Sequence, residues 1–103
     1  MRYQAIVSYD GTDYLGFQSQ PNHQGIQDAI EKAFRLMTQT QIKIFGAGRT
    51  DKGVHAHGQV FHFDSDLAID ETSWLRVNDR LPMDIRIKKI KKVSDTFHAR
   101  HSS

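Results

Sequence analysis

The chain lacks cysteine altogether, carries no apolar run long enough to cross a membrane, and contains no internal repeat or low-complexity tract. The missing thiols exclude a disulfide framework and any thiolate metal site, and they make the cytoplasm the expected setting. A bilayer-spanning helix needs about 20 consecutive apolar residues, so no membrane partner is expected. Met1-Arg2-Tyr3 opens directly into an alternating pattern, without the apolar stretch and cleavage site of a signal peptide. A strong excess of one charge is missing too. The formal net charge is +2, a mildly basic balance compatible with a nucleic-acid partner but not evidence for one.

What is present describes one small domain. The 103 residues, 38% of them hydrophobic and 25% charged, suffice for a modest core and do not indicate disorder. Such a domain buries about 60 to 70% of the surface its unfolded chain exposes. RYQAIVSY, from Arg2 to Tyr9, alternates and is rich in strand formers, so it predicts a strand that Asp10-Gly11 breaks. TDYLGFQSQPNHQG has no clear period and reads as a long loop. Within it Phe17 is expected to pack under a later glycine turn, while Tyr14 and Gln18 stay open to a binding role.

From Ile26 the helical period takes over: Ile26, Ala29, Ile30, Ala33, Phe34 and Met37 form one apolar stripe. Asp28 with Lys32 and Glu31 with Arg35 stand four apart, acid first, the favourable order for helix-surface pairs. Short strands are expected over Ile42–Phe45 and Gln59–Asp64. Asp70 is a predicted N-cap for a second helix presenting Trp74, Val77 and Leu81 inward, with Pro82 as its stop. Ile85 and Ile87 begin a last strand, after which the alternation slips among Arg86, Lys88, Lys89, Lys91 and Lys92. Those cations fit either phosphate contacts or a lysine-protected sheet edge. The order strand, helix, strand, strand, helix, strand predicts an α+β, ferredoxin-like βαββαβ sandwich: an antiparallel sheet with both helices on one face.

The chemistry concentrates in GAGRTDKGVHAHGQVFHF, from Gly46 to Phe63. A phosphate-binding loop would need Lys and Ser or Thr after Gly53, where Val54 and His55 stand; a dinucleotide fingerprint would need glycine in place of Asp51. Both readings fail. A metal site from His55, His57 and His62 is opposed by parity, because His62 falls on the other face of the strand. We read these histidines as hydrogen-bonded strand or loop residues and expect no metal. Asp51 itself has two readings. Thr50-Asp51-Lys52-Gly53 is good turn chemistry. Equally, Gly46 and Gly48 leave the backbone bare around a carboxylate, and Arg49 can hold that carboxylate ionised, as a nucleophile requires.

That central run resembles the signature of the tRNA pseudouridine synthase A family, and the resemblance extends along the chain. YDGTDYLGFQSQP (Tyr9 to Pro21) is similar to the family's opening motif, GIQDAIEKAF to its first helix, NDRLPMDIRIKK to its second helix and next strand, and FHAR (Phe97 to Arg100) to the close of its first half. The resemblance implies an isomerase that converts uridine to pseudouridine at positions 38 to 40 of the tRNA anticodon stem-loop, without metal or cofactor. It implies that Asp51 is the catalytic aspartate, attacking ribose C1′ or uracil C6 or assisting a glycal intermediate. Gly48, Arg49, Thr50, Lys52, His55 and Arg100 become the candidates for contacting substrate and RNA, with Arg49 also filling the space left when the uridine leaves its stack. Lys52 stands where the family often has alanine. The family's enzymes are homodimers and run to about twice this length, so residues 1–103 are expected to be an amino-terminal domain. Alone, that domain is expected to bind RNA at most, one wall of the uracil pocket being absent.

A competing reading comes from another class. HGQVFHF, from His57 to Phe63, faintly resembles the aromatic strand of an RNA-recognition motif, which would make the chain a non-catalytic ferredoxin-like RNA-binding module. Base-stacking aromatics on the open sheet face would favour that module; the Arg49-Thr50-Asp51 run favours the enzyme.

Overall fold

The computed structural model describes residues 1–14, 16–17, 25–47 and 56–99, with only the backbone of Ala56 and His57. Strand β1 (Arg2–Tyr9) has the expected alternation: Tyr3, Ala5, Val7 and Tyr9 are buried and the residues between them are half-exposed. It is followed by a short 3₁₀ turn (Gly11–Asp13), helix α1 (Ile26–Thr38), strands β2 (Ile44–Gly46) and β3 (Ala56–Asp64), helix α2 (Glu71–Trp74), a 3₁₀ segment (Leu75–Arg80) and strand β4 (Ile85–Val93). The strands form one sheet in the order β2-β3-β1-β4, with every neighbouring pair antiparallel. Both helices cover the face that carries Tyr3, Phe61 and Phe63, so the α+β, ferredoxin-like arrangement is present. Among the described residues no helix is long and apolar enough to cross a membrane.

The core is aromatic. Phe34 of α1 meets the Phe63 ring at 4.8 Å, Trp74 of α2 meets Phe63 at 5.0 Å, and Tyr3 stacks on Phe63 at 5.3 Å. Phe34 and Trp74 also touch edge to face at 5.6 Å, which joins the two helices above the strand. The α1 stripe lies where its period places it: Ile26, Ile30, Ala33 and Phe34 are buried, with Ala29 and Met37 packed beside them. Its acidic residues work on the backbone. Asp28 accepts the Gly25 N–H at 3.1 Å at the helix start. Glu31 turns to β2 rather than serving only the helix surface, accepting the Ile44 N–H at 2.9 Å and Gln27 Nε2 at 3.0 Å. An unpaired strand N–H needs a partner more than a solvated arginine does.

Three elements depart from expectation in their limits. β2 starts at Ile44, because beyond Asp64 the opposite strand turns away and Ser65 gives its N–H to Met1 O at 2.9 Å. β3 starts three residues earlier than Gln59, since its pairing with β1 continues to Tyr9 opposite Ala56. The second helix has the predicted cap, with Asp70 Oδ1 accepting the Ser73 N–H at 2.7 Å, but only one α turn. It then tightens to 3₁₀ winding, whose three-residue period aligns Trp74 with Val77. Asn78 of that segment makes a pair of hydrogen bonds to β4: the Ile87 N–H donates to Oδ1 at 2.8 Å, and Nδ2 donates to Ile87 O at 2.9 Å. Leu81, half-buried in extended backbone, closes the segment rather than continuing a helical face.

The slip of alternation in β4 is a register shift. Val7 pairs with Ile87 and Ile6 with Lys89, leaving Lys88 as the extra residue. This one-residue bulge lets Ile85, Ile87 and Ile90 all face the core although their spacing changes from two to three. Replacing Phe34 by Ala removes the ring that joins α1 to β3 and to Trp74. The expected loss is about 3–5 kcal/mol of stability, read as a lower denaturant midpoint at unchanged slope.

Candidate functional site

One end of the sheet gathers the termini of β1, β3 and β4. β1 finishes there at Tyr9, opposite Ala56 at the start of β3 and Ile85 at the start of β4. β2 runs towards that end but stops at mid-strand of β3, with Gly46 opposite Phe61 and the Ala47 N–H bonded to Val60 O at 2.8 Å. Residues 48–55 therefore leave from Ala47 and rejoin at Ala56, two backbone positions held in the ladder. Close to that return, β3 spends two residues, His57 and Gly58, opposite Ser8 alone, and such shifts re-aim a strand at its end.

The end is reinforced from below and from the side. Phe17 is buried under Gly46, and a Cβ on that glycine would lie 2.6 Å from Phe17 Cε2. Phe17 also meets the Tyr9 ring at 5.9 Å. Its segment is tied to the first turn of α1, where the Ile26 and Gln27 N–H groups donate to Gly16 O at 3.0 Å and Phe17 O at 2.8 Å. Those are helix-start donors with no partner inside the helix. Gly16 has φ 102°, a left-handed backbone that favours glycine. The expectation that Phe17 is core beneath the glycine turn is met. Tyr14 is engaged within the fold: its phenol donates to Asp84 Oδ1 at 2.8 Å, while the Asp10 N–H bonds Asp84 O at 2.9 Å. Burial first, then the Asp84 carboxylate, raise the phenol well above its ordinary value, so it remains a proton donor.

At the opposite end the chain crosses the sheet's uncovered face. Arg2 Nε and Nη2 hold the Asp64 carboxylate at 2.8 and 3.0 Å, and Nη1 reaches Phe97 O at 2.6 Å. The Arg2 hydrogen bonds lower the Asp64 carboxyl below its ordinary range. His62, fully buried, accepts the Ala99 N–H on Nδ1 at 3.1 Å. Nothing in the spacing of the sequence announced these contacts, except that His62 falls on the face opposite Phe61 and Phe63.

Gly48, Arg49, Thr50, Asp51, Lys52, His55 and Arg100 lie outside the described residues, as do Gln18 and the side chain of His57. Of the three histidines weighed for a metal, His62 is thus a hydrogen-bonded strand residue. Arg86, Lys88, Lys89, Lys91 and Lys92 are exposed along β4, an edge strand. The aromatic-platform reading meets a direct obstacle. Phe61 and Phe63 point into the helix-covered core; on the central strands the open face offers Gln4, Ile6, Ser8 and Val60 around the buried His62, and Phe45 on the β2 edge is stacked on that imidazole.

Gly46→Ala is expected to lose about 1–3 kcal/mol, because the buried Phe17 ring has little room to yield. Adding Phe17→Leu should relieve part of that loss. Thermal unfolding of the two single variants and the pair checks this: the pair should cost less than the sum of the singles.

The family described as tRNA pseudouridine synthase matches residues 5–102. A protein of Oceanobacillus iheyensis named tRNA pseudouridine synthase A is 50% identical over 103 residues, covering 98% of this chain and 41% of its own length. Proteins of the same name from Streptococcus thermophilus and Exiguobacterium sibiricum are 50% and 46% identical, covering 99% and 97% of this chain. The chain spans about two-fifths of the length of these relatives. It belongs to the tRNA pseudouridine synthase family.

Proposed function

We propose that the chain is the amino-terminal, aspartate-bearing part of an enzyme that isomerises uridine to pseudouridine at positions 38 to 40 of the tRNA anticodon stem-loop. The carrying observation is 50% identity, across essentially the whole chain, to relatives named tRNA pseudouridine synthase A. The anchoring of Ala47 and Ala56 in the sheet supports it, since a nucleophile acts best from a preorganised backbone.

In this reading Asp51 is the nucleophilic carboxylate, held ionised by Arg49. The bond from ribose C1′ to uracil N1 breaks, the base turns, and C1′ joins C5. C5 then gives up its proton and N1 gains one, so substrate and product are isomers and no metal, cofactor or redox partner is consumed. A paired uridine hides these atoms, so the base is flipped out at a cost of a few kcal/mol, and Arg49 occupies the vacated space. Gly48 and Thr50 shape the turn, while Lys52, His55 and Arg100 contact the RNA. The rest of the relatives' length supplies the other wall of the uracil pocket, and the complete protein works as a cytoplasmic homodimer. The non-catalytic module is the weaker reading, because Phe61 and Phe63 are spent on the core.

The test is pseudouridine formation in tRNA by a protein that completes this chain to the length of its relatives, with and without Asp51→Ala. Turnover should fall on the order of 10⁴-fold or more, the scale for losing a catalytic nucleophile. Folding and tRNA binding should be kept. Undiminished turnover would return Asp51 to a turn residue. The 103-residue chain assayed alongside should bind without turning over; turnover by it alone would overturn the incomplete-pocket assignment.

A further inference from the structure

The mechanism above makes no use of His62, although among the described residues it is the buried polar side chain on the sheet's open face. We propose that His62 is a positioning residue: as a neutral imidazole it latches the segment after β4 onto the open face, and protonation of that imidazole opens the latch.

The geometry has three parts. Arg2, already paired with Asp64, catches the segment at Phe97 O, which aims it from the β4 edge across β1. His62 Nδ1 then accepts the Ala99 N–H over β3, and both residues are buried there. The imidazole is held by contacts with neighbouring rings, with Phe45 of β2 stacked at 5.0 Å and 17°, and the His98 ring edge-on at 4.6 Å. Phe97 lies beyond at 6.3 Å. Two contacts therefore fix the backbone from which the chain continues to Arg100.

An Nδ1 that accepts an N–H carries no proton, so the ring holds its proton on Nε2. Protonating Nδ1 would set a donor against a donor. The charged and titratable groups around the ring oppose protonation on balance. They are Arg2 from β1, His98 from the latched segment, Asp64 from β3, and Lys43, whose Nζ lies 5.7 Å from the Phe45 ring on β2. Asp64 is committed to Arg2. Burial first, then the Arg2 and His98 charges, lower the imidazole below its ordinary 6.5. The sign follows. The latch is fully present above pH 6.5 and is lost as pH falls towards and through the lowered value.

The proposal concerns where the chain leaves the sheet and does not depend on the reaction assigned above. Amide exchange of Ala99, read as a protection factor between pH 5 and 8 in the 103-residue chain, tests it in wild type, His62→Asn and His62→Ala. Asn places an oxygen near the Nδ1 position and does not titrate. Wild type should lose about tenfold protection or more at the acid end, the scale of one buried hydrogen bond, while the Phe63 amide keeps its protection. His62→Asn should hold Ala99 protection flat across the range, and His62→Ala should lack it throughout. Protection in His62→Ala equal to wild type, or the same acid loss in His62→Asn, would overturn the proposal.

Discussion

The contact on which the rest depends is the meeting of Phe34 and Trp74 over Phe63. It brings one ring from each helix onto a single strand, and Tyr3 from the neighbouring strand stacks beneath them. Because that strand is β3, the helices are centred over the inner pair β3–β1, and β2 and β4 are left as edges. The same register that buries Phe61 and Phe63 on one face sends Val60 and His62 to the other. It also delivers Tyr9, Ala56 and Ile85 to one end of the sheet and points Ala47, bonded to Val60, towards it. Core packing thus decides where residues 48–55 begin and return.

The two edges are then closed by side chains from the helix layer. On β2, Glu31 takes the Ile44 N–H while Gln27 reaches Ile44 O at 3.4 Å, a strand-like pair of contacts from a helix. On β4, Asn78 satisfies both backbone groups of Ile87, and Glu71 accepts the Lys92 N–H at 2.6 Å. Open edges invite pairing with another chain, and the bulge and exposed lysines of β4 work against it as well. The sheet's accessible ground is therefore its open face, bounded at one end by the latched segment and at the other by the flanks of residues 48–55.

Much of this was legible from local pattern. The α1 stripe, the β1 alternation and the Asp70 cap each depend on neighbours within a turn or two, and all are found as read. Phe17 could be placed beneath the glycine turn because a large apolar residue in a polar loop needs a home. The tightening of α2 into 3₁₀ winding was not legible, since it answers to Asn78 and Ile87 across the sheet. The β4 slip showed in the letters but its cause, an extra residue opposite β1, did not. Least visible was the latch: Arg2 to Phe97 and His62 to Ala99 join positions 95 and 37 residues apart. As for the candidate site, Asp51 is proposed from a specific run of residues, and the structure adds how the backbone on either side, at Ala47 and Ala56, is held.

The central claim is that substrate RNA meets this domain at the strand ends flanking residues 48–55. The most direct measurement is amide chemical-shift mapping of the chain titrated with anticodon stem-loop RNA. The account predicts the largest changes at Tyr9, Asp10, Ala47, Ala56 and Gly58, with the outer surface of α1 left unmoved. Changes concentrated on α1, with those strand ends silent, would contradict it.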